Sequence, residues 1–85
     1  QLQIAEVTTT SMEAYNHFLK GKENYDLWNH IDAQRFLEKA VELDPTFAIA
    51  YYYLALTHHR LGDNKSRDET LEKAKAFSEK ASEKE

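Results

Sequence analysis

Apolar residues recur along this chain at helical rather than strand spacing. Between Asn29 and Asp44 they fall at Ile31, Ala33, Phe36, Leu37, Ala40, Val41 and Leu43, the three-and-four rhythm of one helix face. Leu71, Ala74, Phe77 and Ala81 make a similar stripe among lysines and glutamates. Start and stop signals divide the pattern into four helices. Thr10 followed by Glu13 is a capping-box pattern, and it predicts a first helix running to about Leu27. Asn29 with Asp32 opens a second, which Asp44-Pro45 ends because proline disfavours helical geometry in the residue before it. A third is predicted from Phe47 to Leu61, with Gly62 as its left-handed stop. Asp63 or Asn64 caps the fourth. Ahead of these, Leu2, Ile4 and Val7 alternate with polar residues, as in the tail of a preceding domain, a linker or a strand-like arm.

The chain also repeats itself. Leu37-Glu38-Lys39-Ala40 recurs 34 residues later as Leu71-Glu72-Lys73-Ala74. In the same register Ala14 meets Ala48, Phe18 meets Tyr52, Gly21 meets Ala55 and Tyr25 meets His59. A period of this length is one helical hairpin, which cannot bury its apolar face alone and therefore stacks on a neighbour.

These residues resemble the tetratricopeptide repeat family. The resemblance rests on the period, on the small residues Gly21, Ala33, Ala40, Ala55 and Ala74 at helix contacts, and on the junction Leu43-Asp44-Pro45-Thr46-Phe47-Ala48. It covers about residues 12–78 and looks most like repeats in prokaryotic signalling or regulatory proteins. It implies an all-α fold of two antiparallel helix-turn-helix repeats, four helices stacked as a short right-handed α-α superhelix, with the fourth helix extended as a polar cap. The expected division is residues 1–9 as linker or arm, 10–46 as repeat one, 47–78 as repeat two and 79–85 as a helical extension. There are departures. Arg67 stands where repeat one has Ala33, and it crowds the contact between helices three and four unless its stem snorkels outward. Lys20 and Asn24 replace large apolar residues of the first helix.

Composition narrows the function. The chain has 85 residues, 41% hydrophobic and 31% charged, with two glycines, one proline and no cysteine. That is globular composition with few breakers, and it excludes a disulfide framework or a thiolate zinc site. It is compatible with a reducing, cytoplasmic setting. A net charge of −4 argues against a cationic nucleic-acid face. No apolar run approaches a membrane span. A start at Gln1 rather than Met suggests a processed product or a piece of a larger regulatory protein.

The resemblance also assigns a concave groove, lined by the first helix of each repeat. Its positions are Tyr15, Phe18, Lys22, Tyr25 and Asp26 in copy one, and Ile49, Tyr52, Leu56, His59 and Arg60 in copy two. Tyr52 and Leu56 are the stronger candidates, since Tyr51, Leu54, Ala55 and His58 supply the packed face of helix three. Phe18 and Tyr25 stand evenly between groove and core. The lysine, asparagine and arginine clamp with which some family members grip acidic chaperone tails is absent, its places holding Phe18, Lys22 and Tyr53. No two of His17, His30, His58 and His59 have the spacing of a helical metal pair, so no metal or cofactor is expected. Nor does spacing suggest a serine–histidine–acid set. Trp28 reads as a clasp between helices one and two. The expected function is therefore non-enzymatic: binding of a peptide or partner helix in the groove. The alternative is structural self-association as a homodimer, with helix exchange as one route, because two copies leave apolar end faces open.

Overall fold

A computed structural model describes residues 9–83. Ser11 opens the first helix, α1 (Met12–Asp26), with its hydroxyl oxygen accepting the amide of Ala14 at 3.0 Å. The capping residue is thus Ser11 and not Thr10. Its own amide is held by the Thr9 hydroxyl at 3.1 Å, which places Ser11 at the helix entrance. Three further helices follow: α2 (His30–Leu43), α3 (Ala48–Arg60) and α4 (Asn64–Glu83). Asn29 precedes α2 without capping it; its side-chain amide donates instead to Asn24 Oδ1. Asp63 caps α4 through the amide of Ser66. The expected arm lies, apart from Thr9, outside the described residues, as does the side chain of Ala81.

The helices form two hairpins, α1 with α2 and α3 with α4, joined by packing of α3 on α2 and α1. Ala14, Phe18, Ala33, Leu37, Ala40, Phe47, Ala50 and Leu54 make the core. Its small residues bring the backbones together. A Cβ built on Gly21 would lie 2.6 Å from Leu37 Cγ, so α1 and α2 touch where only glycine fits. Phe47, wholly buried, packs its ring 5.3 Å from Phe18 and begins the seam between hairpins. Full burial of such a side chain contributes about 1.5–3 kcal/mol.

The junction before α3 is tied by polar contacts. Asp44 accepts the amide of Thr46 at 3.1 Å and its hydroxyl at 2.9 Å, and the Tyr51 hydroxyl donates to the Pro45 carbonyl at 2.8 Å. Tyr51 also stacks on Phe77, which joins α3 to α4. The inward stripe of α4 is Thr70, Ala74 and Phe77, while Leu71 is 38% exposed. Periodicity puts Leu71 on the buried stripe, but the structure leaves it exposed, since among the described residues no element packs on that side of α4. The two hairpin turns match, with left-handed backbone at Trp28 (φ 64°) and Gly62 (φ 82°), 34 residues apart. In the second hairpin Arg67 does snorkel. It donates to His59 Nδ1 at 3.0 Å and to Asp68 at 2.9 Å, beyond the helix contact.

Candidate functional site

The first helices of the two hairpins lie side by side, and the residues assigned to the groove fall into three groups. The first is buried between the hairpins. Phe18 is 4% exposed and meets Phe47 at 5.3 Å and Tyr53 at 5.6 Å, so the core reading holds for it. Tyr25 is half-buried and meets the edge of Tyr53 at 5.6 Å. Tyr53 is the hub of this aromatic row, since Tyr52 also packs on it at 5.8 Å. The sequence pattern gives Tyr53 a clamp position and a place in the Tyr51–Tyr53 run, but not this packing role. Its helical position, one residue past Tyr52, was the available signal.

Arg60 belongs to the same group. Its guanidinium lies 3.7 Å from the Tyr25 ring centre and 3.9 Å from that of Trp28, and it donates to the Tyr25 carbonyl at 3.0 Å. It therefore satisfies an end carbonyl of α1 while stacking on two rings. Trp28 clasps this arginine across the hairpins rather than joining α1 to α2 alone.

The second group remains accessible on α1 and α3. Tyr15, Lys22 and Leu56 are half-buried, and Asp26 and His59 are exposed. Lys22 pairs with Asp26 at 3.3 Å and holds its ammonium 5.9 Å from the Tyr53 ring centre. This surface is apolar and aromatic with one ion pair at its margin. Arg60 and Phe18 are occupied within the chain and offer little of themselves to a partner.

The third group faces the end of the stack. Ile49 and Tyr52 line, with Ala48, Leu71, Ala74, Lys75 and Ser78, an open and mostly apolar cavity of about 300 Å³. A second cavity of about 410 Å³ on the other end is lined by His17, Asp32, Arg35, Phe36 and Lys39. There the His17 ring donates through Nδ1 to the Glu13 carbonyl at 2.9 Å, and Lys20 lies over Phe36. A patch not foreseen from sequence gathers at the first turn, where Leu27, Trp28 and Ile31 are each more than 60% exposed. Among the described residues no group of three or more histidines and carboxylates is placed to hold a metal ion, and no helix is long and apolar enough to cross a membrane.

Two tetratricopeptide repeat family models match the chain, one over residues 14–47 and one over residues 36–67, together covering both hairpins up to the first turn of α4. No curated protein and no solved structure matches it.

Proposed function

Since the chain belongs to the tetratricopeptide repeat family, whose repeats generally serve as protein-interaction scaffolds, we propose that its α1–α3 face receives an amphipathic helix or extended peptide with apolar anchors. The observation behind this reading is the accessible surface of Tyr15, Lys22 and Leu56 beside the aromatic row of Phe18, Tyr25 and Tyr53. Rigid rings lose little freedom on binding, which favours their use as anchors. The margin of this face carries the ion pair Lys22–Asp26, with no cluster of cations among its described residues, so an apolar ligand fits better than an acidic tail. No catalytic role, metal, cofactor, nucleic acid or membrane enters this reading.

Selection of peptides from a displayed random library on the immobilised chain tests it. Selected peptides should carry apolar residues at helical or alternating spacing. Tyr15→Ala combined with Leu56→Ala should weaken them at least about tenfold. Affinity unchanged in that double variant would remove the α1–α3 face from the account.

A second reading, self-association, is supported by a separate observation. The surface of α3 and α4 that faces the end of the stack keeps Tyr52 44% and Leu71 38% exposed.

A further inference from the structure

The seam that joins the hairpins occurs once as an internal contact and once as a surface. Within the chain, α3 seats over Ala14, Phe18, Leu37 and Ala40, with Tyr15 and Val41 packed at the margin. Moved on by 34 residues these become Ala48, Tyr52, Leu71, Ala74, Ile49 and Lys75, which all line the cavity of about 300 Å³ between α3 and α4. Leu37 is 0% exposed and its counterpart Leu71 38%; Phe18 is 4% exposed and its counterpart Tyr52 44%.

A second copy does not cover this surface by continuing the stack. Its α1 would have to seat as α3 does. At the places of Phe47, Ala50, Leu54 and Thr57, α1 carries Glu13, Asn16, Lys20 and Glu23. Burying those charges without partners is unfavourable. The far end of the chain thus acts as a polar terminus, and head-to-tail assembly is disfavoured.

The exposed ridge of α4 beside the cavity is, however, complementary to itself. Asn64, Asp68, Leu71, Lys75 and Ser78 follow one another at steps of four, three, four and three along α4, the spacing of a helix–helix seam. Read in the opposite direction, Leu71 meets Leu71, Asp68 meets Lys75 and Asn64 meets Ser78. Asp68 and Lys75 are both exposed and one turn to either side of Leu71. In the covered seam their counterparts are Gln34 and Val41, so charge enters only where the surface is open.

We propose that two copies of this chain associate through this ridge, with the α4 helices antiparallel about a two-fold axis at Leu71. Asp68 of each copy faces Lys75 of the other, and Tyr52 and Ile49 border the apolar strip. The proposal rests on the self-association reading and is independent of the α1–α3 face. The strip is narrow beside the roughly 1,200 Å² that a specific interface buries in total. Association is therefore weak and concentration-dependent, and the paired charges set its register.

Sedimentation of the 85-residue chain up to about 1 mM, at low salt, tests this. The wild type should pass from monomer to dimer. Asp68→Lys and Lys75→Asp should each weaken the dimer at least about tenfold, because the two-fold axis doubles every like-charge contact. The combined D68K/K75D variant should restore it, with far-ultraviolet circular dichroism showing equal helix in all four proteins. Tyr15→Ala with Leu56→Ala should leave association unchanged, which separates this result from the peptide-binding test. A wild type that stays monomeric overturns the proposal. So does a dimer that both single reversals leave intact, or a double variant that fails to recover.

Discussion

Arg60 on α3 holds its guanidinium 3.7 Å from the centre of the Tyr25 ring on α1, against the face of the aromatic system. The same group lies 3.9 Å from the Trp28 ring centre and donates to the Tyr25 carbonyl at 3.0 Å. One side chain thus ties the second hairpin to the end of α1. Stacked cations contribute about 0.5–2 kcal/mol and a charge-assisted hydrogen bond about 1.5–3 kcal/mol, before allowance for partial exposure. Arg60→Ala should destabilise the fold by about 1–3 kcal/mol, read as a lower thermal midpoint. Arg60→Lys should recover little of this, because an ammonium lacks the flat face that both rings meet.

Gly21→Ala sets two effects against each other. Alanine gains about 1 kcal/mol of intrinsic helix propensity over glycine. The new Cβ, however, would lie 2.6 Å from Leu37 Cγ and 2.7 Å from its Cδ2, and Leu37 is fully buried. Overpacking of this kind costs about 1–3 kcal/mol, so the clash should win. Denaturant melts should show a lower midpoint for Gly21→Ala, the reverse of the propensity expectation.

Trp28 and Gly62 occupy equivalent turns with the same left-handed backbone. Nothing lies within 4 Å of a Cβ at Gly62, so Gly62→Ala isolates the backbone cost. It should destabilise by about 1–2 kcal/mol despite the open space. Trp28→Gly should relieve a similar cost while losing the stack on Arg60, which leaves thermal stability nearly unchanged. A large loss in Trp28→Gly would mean that the ring holds the hairpins together more strongly than its 67% exposure suggests.

Asp44 gives the fold a pH dependence. Partial burial works to raise its pKa, but hydrogen bonds from Thr9 and from the amide and hydroxyl of Thr46 outweigh burial and hold it below the ordinary 3.8. Its contribution is therefore present above the unfolded value and lost as pH falls through the lower folded value. The same carboxylate, after burial, helps to raise the pKa of Tyr51. Asp44→Asn should be less stable than wild type at neutral pH. The difference should shrink in acid, where wild type also carries a neutral side chain. Urea melts across that range check it.

Helix number, helix limits and stacking order were legible because they rest on local signals: the apolar rhythm, Pro45, Gly62 and the 34-residue self-match. The start of α1 moved from Thr10 to Ser11 because consecutive hydroxyl residues offer alternative caps, and the Ser11 oxygen is the one that takes a helix amide, that of Ala14. The left-handed turn at Trp28 was hidden, since tryptophan is not a residue that signals such a turn. Arg60 read as a groove cation because sequence shows its charge but not the two rings that residues 25 and 28 bring to it. Leu71 shows the limit of periodicity, which assigns a face but does not say what covers it.

The proposed binding surface is the α1–α3 face. It is tested most directly by titrating a library-selected peptide into isotopically labelled chain and following backbone amide shifts. Shifts should concentrate at Tyr15, Lys22 and Leu56, with the Leu27–Ile31 turn and α2 unmoved. Shifts confined to that turn around Trp28, or to α2, would contradict it.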